Sequence, residues 1–163
     1  MSDRTAPESK NYLRNNSFKF SINKIPNVNF YVQEANIPNV SVDFTETKTL
    51  FAQPDYDTGG RYTYGDLNIR FIVDENMNNY LELYNWIRSE MPVESYAGID
   101  KDPLEDATLI VLNNSYRANI VVRFKELYPI SLDEITFDLT TTDPDPIIIG
   151  ASFKHNGMEI SAV

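Results

Sequence analysis

The chain has 163 residues, 42% of them hydrophobic, and a formal net charge of −10, so it is long enough for one domain with its own core. The absence of cysteine excludes a disulfide framework, a thiolate zinc site and a cysteine nucleophile. No run approaches the roughly 18 apolar residues of a membrane span, the polar start carries no secretory signal, and the acidic balance disfavours a grip on nucleic acid.

Three short runs near the start of the chain alternate apolar and polar residues. They cover Phe18 to Ile22, Val28 to Val32 and Val40 to Phe44, and a period of two predicts strands that are half buried on one face. Asn27 and the Ile37–Asn39 segment separate these runs as turns. The first part of the chain is therefore predicted to contain three strands.

The segment that follows, Thr45 to Tyr64, is polar and holds a Gly59-Gly60 pair that marks a turn. A connection of about 20 residues is long for a compact domain, and loops of that length are commonly functional. We therefore predict a long inter-subunit loop over residues 45–64. A hairpin inside it is the alternative, because Phe51 and the threonines before it have strand character.

After a strand predicted over Leu67 to Val73, the apolar period changes to that of a helix. The helix is predicted over about residues 75–90, with Asp74 as its cap and Pro92 as its end. Trp86 lies off the centre of the apolar stripe, so we expect it to cover the helix end or to face a partner. The stripe itself, which we expect to pack on the sheet, comprises Met77, Tyr80, Leu81, Tyr84 and Ile87.

The clearest hairpin of the sequence lies in the second half of the chain. Leu109 to Leu112 and Ile120 to Phe124 are apolar on either side of the turn Asn113-Asn114-Ser115. Tyr128-Pro129 is predicted to end the second strand, because proline interrupts a ladder. A further strand is predicted over residues 132–139, with a bulge near Asp133.

A last apolar run, Ile147 to Phe153, precedes the tight turn Asn156-Gly157 and a short end segment. Together the elements predict a mainly β fold, an antiparallel sandwich or barrel of about seven or eight strands with one flanking helix. Closure is favoured because a large open sheet leaves two exposed edges. We assign residues 1–163 to one domain, with residues 1–11 as a flexible N-terminal arm.

Few residues stand in patterns that support catalysis. His155 is the only histidine, and its place beside a predicted turn leads us to expect an exposed side chain. Neither a Gly-x-Ser-x-Gly elbow nor a Walker loop occurs. Asp143 and Asp145 alternate with prolines, which favours a rigid acidic turn over a calcium site because the spacing of a calcium-binding loop is absent. We predict no enzyme activity, no metal and no cofactor.

Exposed aromatic residues are the better candidates for function, because tyrosine is enriched at protein interfaces. The candidate inter-subunit or inter-ring contacts are Phe51, Tyr56, Tyr62, Tyr64 and Trp86. Two alternatives from other classes remain open on the residues alone. One is a cytosolic β-barrel module that binds a small ligand, and the other is a glycosidase that uses a pair of carboxylates.

Several segments match a known family in order and spacing. Tyr64-Gly-Asp-Leu-Asn-Ile-Arg-Phe71 leads into Asn79–Ile87, which contains an Asn-Tyr and a Trp-Ile pair. Leu127–Leu132 supplies a later proline corner, and Asn16–Phe20 with Ala35–Pro38 supplies the opening strand and its corner. From Tyr12 to Phe153 the chain thus resembles the tail tube family of contractile-tailed (myovirus-type) phages, including its tube initiator and cap proteins.

This resemblance implies a β-sandwich-like barrel whose copies form rings of six, stacked into a tube through which the genome leaves. The first expectation is a structural subunit of the tube. A tube initiator, adaptor or completion ring at the baseplate or head end is the alternative, and a bacterial injection-system tube is a related one. The resemblance implies no catalytic residues, so none is assigned.

The same resemblance implies the partners and the location. The expected partners are further copies of the chain, the tail sheath, and baseplate or terminator proteins, with DNA passing without sticking and no membrane contact. The expected location is the tail of the virion, after assembly in the host cytoplasm. Six copies would carry on the order of −60 charges, and an acidic lumen is expected to repel DNA.

Overall fold

The computed structural model describes residues 11–47, 55–90, 104–140, 142 and 145–163. Within these ranges the mainly β fold with a flanking helix is confirmed. The elements in chain order are β1 (Phe18–Ile22), α1 (Pro26–Tyr31), β2 (Val32–Ala35), β3 (Val40–Thr47), β4 (Asp55–Tyr64), β5 (Leu67–Ile72), α2 (Asn78–Glu90), β6 (Glu105–Leu112), β7 (Ala118–Leu132), β8 (Ile148–Lys154) and β9 (Gly157–Ala162).

The strands form one seven-stranded arrangement in the order β1-β6-β7-β8-β5-β2, with β9 paired to β7, and a separate two-stranded sheet of β3 and β4. The first part of β7 pairs with β6 and β9, and the part from Tyr128 to Leu132 pairs with β8. Between these parts Glu126 has a φ of 53°, a left-handed conformation that bends the strand. Because β7 contributes to both layers, the sheet folds over on itself as a sandwich.

The core lies between the two layers and is built from residues that alternate along their strands. Its largest fully buried side chains are aromatic, and each fully buried one contributes about 1.5–3 kcal/mol of burial free energy. The residues that fill the centre are Ile22, Val122 and Phe124 from one layer, and Leu67, Ile69, Phe71 and Phe153 from the other. The predicted strands that carry these residues are confirmed as β1, β5, β7 and β8.

The strand predicted over Val28 to Val32 is wrong for most of its length, because a short helix stands there. Pro26 occupies the first turn of α1. The N–H groups of the first turn have no partner within the helix, so the missing N–H of proline costs no helical hydrogen bond there. Val28 is fully buried and Phe30 is 83% exposed, so the apolar alternation reflects opposite faces of a helical turn. The Asn27 amide donates to the Glu82 carboxylate of α2 at 2.6 Å, which joins the two helices.

Helix α2 is confirmed, but it begins at Asn78 and buries a different face from the one predicted. Leu83 and Trp86 are buried, whereas Leu81 and Tyr84 stay exposed. The reason is Asn79, which is fully buried and donates from Nδ2 to the Ile72 carbonyl at 2.8 Å. This polar anchor sets the rotation of the helix, and an apolar stripe alone does not detect it.

The loop predicted over residues 45–64 is wrong wherever the structure describes it. Thr45 to Thr47 belong to β3, residues 55–64 form β4, and the two strands pair antiparallel. The glycine pair expected as a turn lies inside β4, where the register shifts and Gly60 has a φ of 67°, as in a bulge. The hairpin was the open alternative, and residues 48–54 lie outside the described ranges.

Two predictions near the end of β7 also fail. Tyr128-Pro129 does not end the strand, because β7 exchanges one neighbour for another there and tolerates a register shift after Pro129. The strand predicted over residues 132–139 is absent from the described part of the chain beyond Leu132. Asp133 instead closes on β8, donating its N–H to the Gly150 carbonyl (2.9 Å) and accepting the Gly150 N–H on Oδ2 (3.1 Å).

Candidate assembly surface

The β3–β4 hairpin carries an exposed apolar face. Val40 lies opposite Tyr64 and Val42 opposite Tyr62, and directly opposed residues share one face of a pair of strands. Val40 is 53%, Val42 55% and Tyr62 59% exposed. A two-stranded sheet is marginally stable by itself in water, and a contiguous apolar face on it is typical of an interaction surface.

The base of the hairpin is fixed to the sandwich by a close backbone approach. The Gly65 N–H donates to the Asn39 carbonyl at 2.9 Å. A Cβ atom at Gly65 would lie only 2.1 Å from Oδ1 of Asn39, so a larger residue here would require the exposed Asn39 side chain to move. Tyr64 then packs against His155, with 5.2 Å between the ring centroids. The hairpin is thus oriented from its base, while its apolar face remains open.

His155 is buried at this junction, so its predicted exposure is wrong. Its ring lies between Tyr64 and Phe124, 5.3 Å from the centroid of Phe124. Nδ1–H donates to the Gly157 carbonyl at 3.2 Å, while Nε2 has no hydrogen-bond partner among the described residues. Burial lowers the pKa of His155, and the carbonyls of Gly157 and Gly65 offset this only in part. The histidine serves as a neutral packing residue where the hairpin meets β8 and β9.

The predicted contact residues of the hairpin fall in three different situations. Phe51 lies outside the described residues. The backbone of Tyr56 pairs with Glu46 in the outer part of the hairpin. Tyr62 is exposed and Tyr64 is half-buried, with 5.4 Å between their ring centroids. Burial, followed by the hydrogen bond with Tyr62, raises the pKa of Tyr64, so the Tyr64 phenol is neutral at neutral pH.

Trp86, the remaining predicted contact, lies in the core. It is 3% exposed and its ring centroid is 6.0 Å from that of Phe153. The Lys24 ammonium covers the other side of the indole at 5.3 Å, a cation–π arrangement. The tryptophan therefore packs within the protein and offers no face to a partner.

Sequence reasoning missed Val40, Val42 and Phe30 as contact candidates. The period-two pattern located β3, but it assumed that one face of the strand is covered by the protein's own core. Phe30 was assigned to a strand, and the helix instead exposes 83% of it. The two valines could have been found by asking, for each predicted strand, whether the chain supplies a second layer of strands to cover its apolar face.

Among the described strands of the larger arrangement, three have one neighbour each and therefore one edge without a described partner. These are β1, which pairs with β6, β2, which pairs with β5, and β9, which pairs with β7. Free edges present unpaired N–H and C=O groups, which are templates for pairing with another chain. Together with the hairpin, these edges are the candidate contact surfaces of the protein.

No group of three His, Cys, Asp or Glu side chains among the described residues is arranged to hold a metal ion. None of the helices described here is long and apolar enough to cross a membrane.

Solved structures of subunits from contractile injection systems share this overall fold. The chain matches the structure of a sheath/tube terminator of an extracellular contractile injection system with a TM-score of 0.70 and 18% identity, over 94% of this chain and 100% of that one. It matches the tube-terminating cap of the anti-feeding prophage with a TM-score of 0.69 and 14% identity, over the full length of both.

The family is shown by sequence. The model of the phage tail tube protein family matches residues 4–155, and the chain belongs to this family. A curated relative, the tail tube terminator protein of Enterobacteria phage T4, is 28% identical over 123 residues, which are 72% of this chain and 68% of that protein. The resemblance noted from the sequence is thus confirmed: the protein is a structural component of the phage tail, related to tail tubes.

Proposed function

We propose that this protein is a tail tube terminator, a ring that ends the tube instead of extending it. The observation that supports this proposal is the sequence relationship to a tail tube terminator, at 28% identity over 123 residues. The proposal replaces our first expectation, a subunit of the main tube, with the alternative of a completion ring.

Fold similarity alone does not separate these two roles. A sheath–tube complex of an extracellular contractile injection system matches with a TM-score of 0.70, the same value as the sheath/tube terminator. Since both roles use one fold, the sequence relationship carries the choice. A terminator needs two different faces, one for the last tube ring and one for whatever follows it.

The β3–β4 hairpin is proposed as an inter-subunit contact of this ring. Its exposed valines and Tyr62 supply an apolar face, and the acidic strands around them favour an ordered, specific partner over random association. Phe51, Tyr56 and Tyr64 belong to the same proposed contact by their place in or next to the hairpin.

An acidic conduit is proposed for the ring. With −10 charges on each copy, a ring of six would carry on the order of −60. Like charges repel, so DNA is expected to pass a lumen of this kind without binding. The sheath is a further proposed partner, because matched chains come from sheath–tube and sheath/tube terminator complexes.

Electron microscopy of the purified protein over a range of concentrations tests the proposal. A terminator is expected to give single rings with a central hole that do not grow into tubes, and to cap the ends of tubes formed by the main tube protein of the same phage. Self-stacking into long tubes would contradict the proposal in favour of a main tube subunit. Monomers that never form rings and never bind tube ends would contradict both.

A further inference from the structure

A groove of about 510 Å³ separates the two strands that end the sheet order, β1 and β2. Apolar residues from both strands and from α1 line part of it, and polar residues, Lys19 among them, line the rest. The lining residues that matter here are Phe18, Lys19, Phe20, Asn29, Phe30 and Val32. The sandwich is therefore open along this side, between two strands that each lack a second neighbour.

The free edge of β1 is already paired at one end by a side chain. Asn29 accepts the Ile22 N–H at 2.9 Å and donates to the Ile22 carbonyl at 2.7 Å, which reproduces the two bonds of a strand partner. The N–H and C=O of Ile22 thus point away from β6. Ser17, an odd number of residues earlier, points the other way, because its carbonyl accepts the Leu112 N–H of β6. By the period of two, Phe18 and Phe20 present their N–H and C=O groups to the groove.

An extended strand is the ligand that such an edge recognises, because main-chain pairing gives affinity and alternate side chains give specificity. The strand must place apolar side chains against Phe18 and Phe30 and polar ones towards Lys19. Strand β3 has this pattern, with Val40 and Val42 alternating with Ser41 and Asp43. Its outer edge has no strand partner among the described residues.

Charge favours the same pairing. Strands β3 and β4 carry four acids, Asp43, Glu46, Asp55 and Asp57, against Arg61 as their one base, a formal balance of 1 − 4 = −3. Lys19 is the charged residue that lines the groove, and it forms no ion pair within the described part of the chain. An acidic strand is therefore drawn to this edge and held in a register that brings an acid near Lys19.

We infer that the β1–β2 groove is the acceptor for the β3–β4 hairpin of a second copy of this chain, whose β3 strand extends the sheet at the free edge of β1. The inference rests on the proposed ring and names the surface on which its hairpin docks. The bond to Asn29 limits the added strand to the Phe18–Phe20 end of β1. Repeated around a ring, this contact covers the exposed valines of each hairpin and the exposed Phe30 of its neighbour.

Directed disulfide cross-linking tests the inference, and because the chain has no native cysteine, every disulfide must come from the introduced residues. Lys19→Cys and Asp43→Cys, which face each other in the inferred pairing, are introduced into separate preparations, which are mixed and mildly oxidised under conditions where rings are seen by electron microscopy. The comparison mixture combines Asp43→Cys with Ser161→Cys, which lies on β9, the competing free edge. The Lys19→Cys mixture is expected to give about tenfold more cross-linked dimer than the Ser161→Cys mixture.

Each outcome separates the inference from the proposed function. Rings that form without a link between the Lys19→Cys and Asp43→Cys proteins, or with equal or stronger linking through Ser161→Cys, overturn the inference and leave the terminator standing. A failure to form rings or to cap tubes overturns the proposed function and removes the basis of the inference.

A charge exchange provides a second, independent test. Lys19 is exposed, so Lys19→Glu is expected to keep the fold and to reduce ring yield about tenfold. Adding Asp43→Lys to the same protein is expected to restore most of the yield, because the opposite charges face each other again. Arg88→Glu, an equal change on the exposed side of α2, serves as the control and is expected to assemble normally. Equal yields from Lys19→Glu and Arg88→Glu would overturn the inference.

Discussion

The sandwich and the hairpin of this protein use apolar residues in opposite ways. In the sandwich, Phe71, Phe124 and Phe153 are fully buried between two layers of strands. In the hairpin, Val40 and Val42 alternate with polar residues in the same manner, yet each is more than half exposed. The difference is the second layer, since β7 contributes to both layers of the sandwich and none of the described strands covers the apolar face of the hairpin.

This contrast indicates where stability and assembly reside. Burial between layers stabilises the monomer, so changes in the sandwich are expected to lower the free energy of unfolding. The hairpin has little of its own surface to bury, and a two-stranded sheet gains little stability in isolation. Changes there are expected to act on association between copies, and the following variants test that division from the largest expected effect to the smallest.

The largest effect is expected for Phe153→Ala. The ring of Phe153 is fully buried and contacts Trp86, so its removal leaves a cavity and is expected to cost about 3–5 kcal/mol of unfolding free energy. Urea denaturation measures it. Phe30→Ala is the matched control at a residue that is 83% exposed, with an expected change within about 0.5 kcal/mol. Equal losses for the two variants would contradict the division.

Asn79→Ala is expected to lower the unfolding free energy by about 2–3 kcal/mol, because it leaves the half-buried Ile72 carbonyl and the Asp74 and Tyr80 N–H groups without their partner. Loss of helical circular dichroism at lower urea concentration reports the change. The neighbouring Asn78 is exposed, so Asn78→Ala is the control. A loss as small as that of the control would mean that Asn79 does not set the position of α2.

A smaller, pH-dependent effect is expected at His155. Because burial lowers the pKa of His155 in the folded protein, the unfolded chain binds a proton first as pH falls below about 6.5. Folding stability is then expected to decrease from that pH downwards until the folded pKa is reached. Asp66, which favours the charged imidazole, and Lys154, which opposes it, flank the ring.

Urea midpoints measured between about pH 7.5 and pH 5.5 test this expectation. His155→Gln removes the titrating group and is expected to flatten the decrease, whereas the carboxylates of the protein titrate equally in both proteins. An unchanged slope in His155→Gln would assign the pH dependence to other groups.

The smallest effect on stability is expected for Val42→Thr, which keeps a β-branched side chain on an exposed strand. The unfolding free energy is expected to change by less than about 0.5 kcal/mol. Ring formation, measured by sedimentation, is nevertheless expected to fall several-fold, because a hydroxyl group replaces a methyl group in the proposed contact. Normal assembly of Val42→Thr would remove Val42 from the proposed interface.

Much of the fold could be predicted from local pattern. The alternation in β1, β5 and β8 predicts a strand and no other element, because the inward residues are strongly hydrophobic and each run ends at a clear turn. The candidate surface was predicted less well: Tyr62 lies on it, Trp86 lies in the core, and the valines of β3 were expected to be half buried. In each case the sequence shows the periodicity of the element, but it does not show which other element, if any, covers its apolar face.

The sequence by itself determined the antiparallel β class, the helix between β5 and β6, and the family, since these follow from residue order and from spacing over short stretches. Only the tertiary structure decided that β7 bends at Glu126 into both layers, that Asn79 turns Leu83 and Trp86 inward, and that β3 and β4 remain without a covering layer. These features depend on contacts between residues far apart in the chain. Local periodicity carries no information about which distant element supplies the other side of an interface.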